Sequence, residues 1–374
     1  MDLQTLRPVL EHDGPYLSMH VEVGRGSEDA NDQLDGRWTS IRHWLETLAV
    51  DDDLVTALRE RLYENVHLGG EARRTVVAAG GDVLLDEVQP GHHAWPESYD
   101  EGALPDLTGW LLAEDRGLPF VLAVVDRTGA DIEAHHAVVD AEAGRSEDGE
   151  HVQGETFQIR KLPTGGWAHR KYQQHAENTW ERNADEVADA VTEVCREHHP
   201  RAVVVAGEVR ARREVMEALG NHRKMSASTP VLEIEGGGRG AGSSEEALWR
   251  DVQRVLGRVE AEEEAQVAGL LDQARGRGEG AATGLEEVLH ALQEARVDRL
   301  VLDPRAVHDQ TVEVERYPGL PLPASALAAG PQPADRVLVA AAALSGAEVT
   351  VLPQQLTHGG GVAALLRWTE PPPQ

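Results

Sequence analysis

Only one cysteine, Cys195, occurs in 374 residues. An internal disulfide is therefore excluded, and the count fits a reducing cytosol. Cys195 itself, in a helical stretch ahead of His198-His199-Pro200, reads as a small core residue. Aromatic residues are scarce at 4%, and eight of the fifteen are Trp. No run approaches the ~18–20 apolar residues of a membrane span; the longest, Val337 to Leu344, reads as a strand or a buried helix. The N-terminus lacks the basic and apolar regions of a signal peptide, so a cytoplasmic, membrane-free protein is expected. Positive charge is also short. A net charge of −30 disfavours non-specific attraction to DNA or anionic lipid and would suit a high-salt cytoplasm.

What is present is enough to fold. The apolar share of 41% supports real cores, and the length allows two or three domains. The acidity is uneven. Residues 151–230 hold twelve Lys and Arg against eleven Asp and Glu, and all three lysines (Lys161, Lys171, Lys224) lie there. If any surface meets phosphate, it is in this window.

Hydrophobic periodicity predicts an α/β chain. Tyr16–Val23 alternates like a strand, and a helix pair follows on Leu34, Trp38, Ile41, Leu45 and then Leu54, Leu58, Leu62. Thr75–Leu85 reads as a hairpin turning at Gly80-Gly81. Phe120–Val125 is a buried-strand run that turns at Asp126–Gly129 into Ala130–His135. Tyr172 to Cys195 carries an apolar stripe at helical spacing. Ala202–Ala206 is a strand, and a helix with Val215, Met216 and Leu219 follows. Glu235–Ser244 is glycine-rich and lacks the Lys-Ser/Thr end of a phosphate loop, so it reads as a linker. Beyond it come a long helix on Leu248 to Leu271, helix 284–292, strand 297–302, helix 336–344 and strand 348–352. His92-His93 without a third ligand is a weak metal signal. Asp126, Asp131 and Glu133 resemble a two-metal acid cluster on paper, but turn chemistry accounts better for Asp126. No metal or cofactor is expected.

One stretch stands apart: Thr164-Gly165-Gly166-Trp167-Ala168-His169-Arg170-Lys171-Tyr172. Two glycines free the backbone, a large aromatic follows at once, and two cations come just after it. Either the stretch is a plain loop-to-helix turn or it is a probe that enters another molecule.

Taken in order, Phe120 to Trp368 resembles the archaeal and eukaryotic peptide-chain release factor family and its bacterial relatives. A strand pair, a Gly-Gly loop at Gly165-Gly166, Lys171-Tyr172 opening a long helix, and then Ala202–Ala206 with Gly207–Arg213 match the family's middle domain. Gly280–Leu289, Val297–Leu302, Gly346–Val349 and Gly359–Trp368 resemble its third domain. The resemblance implies a three-domain α/β (α+β) architecture. Residues 1–115 form an N-terminal α/β domain, 116–234 an RNase H-like middle domain, 235–244 a linker and 245–374 an L7Ae-like C-terminal domain. It is most similar to the actinobacterial branch related to the ribosome-hibernation factor Balon. That implies a ribosome-binding factor that occupies the A site and touches ribosomal RNA of the large subunit, with elongation factor Tu as a companion. The N-terminal stretch shows no codon-reading motif.

Trp167 is the departure. The family's loop ends in Gln, thought to position the water that attacks peptidyl-tRNA. Indole has one donor and no acceptor, so it does not replace that amide. It can stack on a base. Gln173 lies roughly 9 Å further along a helix. No catalytic residue is therefore expected. The expected RNA-binding tip is Gly165, Gly166, Trp167, His169, Arg170 and Lys171, with Arg210, Arg212 and Arg213 as phosphate contacts. Two alternatives stay open: a peptidyl-tRNA hydrolase for ribosome rescue, and a protein-interaction scaffold without RNA contact.

Overall fold

The structure, a computed structural model, describes all residues except 2, 25–28, 65–70, 91–92, 94, 127–128, 139–154, 164–172, 222–228, 236–244 and 369–374. The side chains of 90, 116, 136–138, 155–163, 173–182 and 245–246 are likewise outside the description. Two compact units result, Met1–Asp115 with Glu263–Gln374, and Arg116–Glu262.

The N-terminal segment contains α1 (Arg7–Leu10), β1 (Tyr16–Glu22), α2 (Ala30–Thr47), α3 (Asp52–Tyr63), β2 (Ala72–Ala79), β3 (Asp82–Pro90), β4 (Ser98–Gly102) and α4 (Thr108–Arg116). The Asp51 carboxylate caps α3 by accepting from the Asp53 N–H at 2.8 Å. Gly80 and Gly81, at φ +63 and +94, make the β2–β3 turn that L side chains resist. The sheet runs β3-β2-β1-β4. Leu17, Met19 and Val21 on one face pack against Trp38, Ile41, Leu45 and Leu58 of the helix pair.

The second unit is built from β5 (Gly117–Asp126), β6 (Gly129–Val138), β7 (Glu155–Pro163), α5 (Gln173–His198), β8 (Ala202–Gly207), α6 (Val209–Asn221), β9 (Val231–Glu233) and the first part of α7 (Glu245–Arg277). The sheet order is β7-β6-β5-β8-β9. β6 is antiparallel to β5 and β7, whereas β8 runs parallel to β5 and β9. The run Ala202–Ala206 is apolar at every position because both faces of β8 are covered. Val121, Ala123 and Val125 face Val187, Val191 and Val194 of α5 and Val215 of α6. Phe120, Leu122 and Val204 face Val252, Leu256 and Val259 of α7.

The C-terminal segment holds β10 (Ala281–Thr283), α8 (Leu285–Gln293), β11 (Val297–Leu302), α9 (Pro304–Val307), β12 (Thr311–Val312), α10 (Ala324–Ala328), β13 (Gln332–Pro333), α11 (Ala334–Ser345), β14 (Glu348–Val351), α12 (Gln354–Thr357) and β15 (Val362–Leu366). Its main sheet runs β10-β15-β11-β14, with β11 and β14 parallel. Gly346 ends α11 in the left-handed conformation, φ +68.

This segment does not have a core to itself. Leu6, Leu10, Tyr16, Leu107 and Leu111 join Val288, Leu292, Leu338 and Val349 in one buried cluster. Met1 exchanges two backbone hydrogen bonds with Val349, at 2.8 and 2.9 Å. The Asp115 carboxylate accepts from the Val351 N–H at 3.3 Å. The outward edge of β14 is thus covered by the N-terminal segment, which satisfies donors that an open edge would expose. Polar groups register the joint. Asp335, 0% exposed, accepts from the Thr108 hydroxyl at 2.9 Å and from His308 Nδ1 at 2.8 Å. Arg336 donates to Asp100 at 2.6 Å. The first and third stretches of the sequence therefore share one interior.

Candidate functional site

The second unit gathers its connections at one end of its sheet. Parallel β5 and β8 finish together, with Val125 opposite Gly207. Gly207 has φ +116, and a β-carbon there would run into the Val125 carbonyl. Only glycine lets the chain turn so sharply that the Glu208 N–H reaches that carbonyl at 2.9 Å and α6 starts at once. Asp126 and Gly129, from the neighbouring turn, meet Asn183, Ala184 and Val187 of α5 and Ala211, Glu214 and Val215 of α6 around a hollow of ≈ 20 Å³.

Of the expected tip, Gly165, Gly166, Trp167, His169, Arg170 and Lys171 all lie outside the described residues. Their flanks lie inside. Pro163, the last residue of β7, pairs with Gly129 beside the hollow. α5 starts at Gln173 and reaches the hollow at Asn183. At 1.5 Å per residue its start lies about 15 Å from that point along the helix axis. Among the described side chains of α5, the core residues run from Ala184 through Val194 toward the opposite end. The helix therefore overhangs the carboxyl end of β5 and β8, where β7 also finishes. In open α/β sheets this is the end where binding sites form.

The three arginines of α6 separate. Arg210 is exposed and pairs with Glu214 at 3.2 Å. Arg213 is exposed. Arg212 is 4% exposed, donating to the Ile234 carbonyl at 2.7 Å and to Glu233 at 3.0 Å. The expectation of Arg212 as a phosphate contact is corrected: its fork is spent inside the protein, at the end of β9. The exposed neighbour that sequence reading missed is Val209, at 71% exposure on the first turn. An apolar residue reads as core in a sequence, and only the abrupt turn at Gly207 puts it outside.

Among the described residues no group of three or more His, Cys, Asp or Glu converges to hold a metal. Asp131 and Glu133 sit two apart on β6, hence on one face, where Glu133 pairs with His135 at 3.0 Å. His135 stacks on Phe120 with ring centroids 5.1 Å apart. His92 lies outside the described residues, and His93 Nε2 donates to the Gln89 carbonyl at 2.9 Å. Burial pushes the Cys195 thiol up to about 11, which suits a packing residue and not a nucleophile. His20, fully enclosed, donates from Nε2 to the Asp106 carbonyl at 3.1 Å and accepts at Nδ1 from the Thr75 hydroxyl at 3.0 Å. Desolvation lowers its pKa and holds it neutral.

An open α/β sheet with helices on both faces, and a helix overhanging the carboxyl end of its parallel strands, defines the class. Residues 119–277 match the model of the bacterial archaeo-eukaryotic release factor family 2. An uncharacterized protein of Mycobacterium tuberculosis (strain H37Rv) is 27% identical over 307 residues, 81% of this chain and 78% of its own. Among solved structures, the chain is similar to Archaeoglobus fulgidus Pelota (15% identity, 98% of this chain and 91% of that one, TM-score 0.30). It is also similar to Saccharomyces cerevisiae Dom34, described as a translation termination-like factor (10% identity, 99% and 94%, TM-score 0.43). No helix among the described residues is long and apolar enough to cross a membrane.

Proposed function

We propose that the protein is a ribosome-associated translation factor of the release-factor type, which enters the ribosomal A site and binds there without cutting peptidyl-tRNA. The observation that carries this reading is where the two elements flanking the Gly165-Gly166-Trp167 stretch, β7 and α5, end and begin. Both limbs leave the carboxyl end of the parallel strands, the same end that exposes Arg210 and Arg213. The family match supports a ribosomal partner. Trp167 stands where water orientation needs an amide, so the tip stacks on RNA instead. On this reading 116–234 is an RNase H-like middle domain and 245–374 contains an L7Ae-like one. The protein is cytoplasmic, acts in hibernation as a relative of Balon, and has elongation factor Tu as its companion.

Sedimentation of the purified chain with ribosomes at several stated salt concentrations tests the proposal, because phosphate contacts weaken steeply with salt. The wild type is expected in the ribosomal pellet at low salt, and Trp167→Ala is expected to weaken binding by about tenfold or more, the worth of one stacked base. A wild type that stays in the supernatant overturns the reading and favours a scaffold without RNA contact. Peptidyl-tRNA turnover that disappears on replacing His169 or Gln173 makes the protein a hydrolase instead.

A further inference from the structure

Successive α-helical residues are rotated by about 100°, so Val209, Arg213, Glu217 and Arg210 fall on one face of α6, while Ala211, Val215 and Leu219 fall on another. The first set is exposed and the second is core. Arg212 lies at the border of the core stripe. It is the one arginine of α6 that is buried, and its two bonds reach a different element, at Ile234 and Glu233. Ile234 in turn donates its N–H to the Val205 carbonyl at 3.0 Å, so this anchor belongs to the central sheet. At its start α6 is held by the Gly207 turn. At its second turn it is held by Arg212. Val209 and Arg210 stand between these two restraints, and Arg213 directly follows the second.

We infer that Arg212 is a positioning residue, which fastens α6 to the end of β9 so that Val209, Arg210 and Arg213 are presented as one rigid face to the phosphate backbone of RNA. This rests on the ribosome-binding reading and names a second contact beside the Gly-Gly-Trp connection. A guanidinium suits the task because its planar fork serves a carbonyl and a carboxylate at once, which an ammonium on a flexible stem does not reproduce. Arg210 reaches RNA by exchanging its pairing with Glu214 for a phosphate oxygen. Glu217 lies on this face and Glu208 precedes it, and the two set a like-charge limit on how closely the backbone approaches.

The test uses the full chain and ribosomes at low salt, at a temperature where far-UV circular dichroism shows each variant folded. Arg212→Met is expected to weaken binding by about tenfold, roughly the loss of one good contact. Arg212→Lys is not expected to restore it. Arg213→Ala alone also weakens binding, but the double variant Arg212→Met with Arg213→Ala is expected to lose no more than Arg212→Met, because both act through one face. Wild-type affinity in folded Arg212→Met overturns the inference, as do losses that multiply, which would make Arg212 a separate contact. Should Arg212→Met fail to fold, Glu233→Gln, which keeps the Ile234 bond, takes its place with a smaller expected loss; unchanged affinity there overturns the inference. A wild type that does not bind ribosomes removes the proposed function and this contact together, whereas binding that ignores Arg212 removes only the contact.

Discussion

The two units solve the problem of packing in different ways. The second buries a sheet whose strand β8 is apolar throughout, and helices on both sides cover it with Val, Leu and Ala. The first buries a junction between segments far apart in sequence, and there a shared apolar core also encloses polar groups: His20, Thr75, Asp106, Thr108 and Asp335. Apolar contact is non-directional, so it holds segments together without selecting one register. A carboxylate that must meet both Thr108 and His308 selects one. In the second unit the enclosed Arg212 has the same office on a smaller scale, tying α6 to β9.

The hardest blow to this contrast falls on Asp335. Asp335→Ala is expected to cost about 3–5 kcal/mol, roughly the loss of two hydrogen bonds to a buried carboxylate. Hydrogen exchange should then lose protection in β1 and β11 together and leave β5 and β8 unchanged. A loss below ~1 kcal/mol, or one confined to α11, would show that the joint does not register the two segments. Next comes Gly207→Ala, expected to cost at least about 2 kcal/mol through steric overlap at positive φ. Gly220→Ala in the same helix meets nothing within 4 Å and should be neutral or stabilising by up to ~1 kcal/mol. Equal effects at the two glycines would refute the account of the turn.

Titration separates the units further. His20 has its pKa lowered by burial, so the folded state refuses a proton that the unfolded state accepts. Stability of the first unit is expected to fall as pH drops below about 6.5, by at most ~1.4 kcal/mol per pH unit. In a His20→Gln variant that folds, denaturation across pH 5–7 should show this limb flattened. Tyr16 is raised to about 12, chiefly by burial and then by Asp13. Between about pH 10 and about 12 the unfolded phenol ionises first and stability falls as pH rises. Ultraviolet titration of the phenols, compared with Tyr16→Phe, reads this directly. The smallest effect is chemical: Cys195, raised to about 11, should alkylate at pH 8 roughly a hundredfold more slowly than a thiol of pKa 9, and rapidly once the chain is denatured. Fast alkylation of the folded protein would contradict its packing in the second unit.

Much of the fold was legible. Period-two alternation marked β1, the Gly-Gly pair marked the β2–β3 turn, and the 3.6-residue stripe marked α5, because each pattern records which face of one element is apolar. β4 escaped notice: Ser98–Gly102 is a polar edge strand, and an edge strand needs no apolar alternation. β7 escaped too: no element was expected over Glu155–Pro163. Within the site, the exposure of Arg210 and Arg213 fits a surface reading, while Val209 and Arg212 exchanged the places that their chemistry suggests.

By itself, then, the sequence determined most of the elements, their order, the α/β class and the unusual Gly165-Gly166-Trp167 stretch, since these depend on neighbours a few residues apart. Tertiary structure alone decided that residues 1–115 and 263–374 share a core, that Asp335 meets Thr108 across 227 positions, and that Arg212 points inward. The reason is physical: periodicity tells which face of an element must be covered, but what covers it is settled only when distant segments compete to exclude water from the same surface.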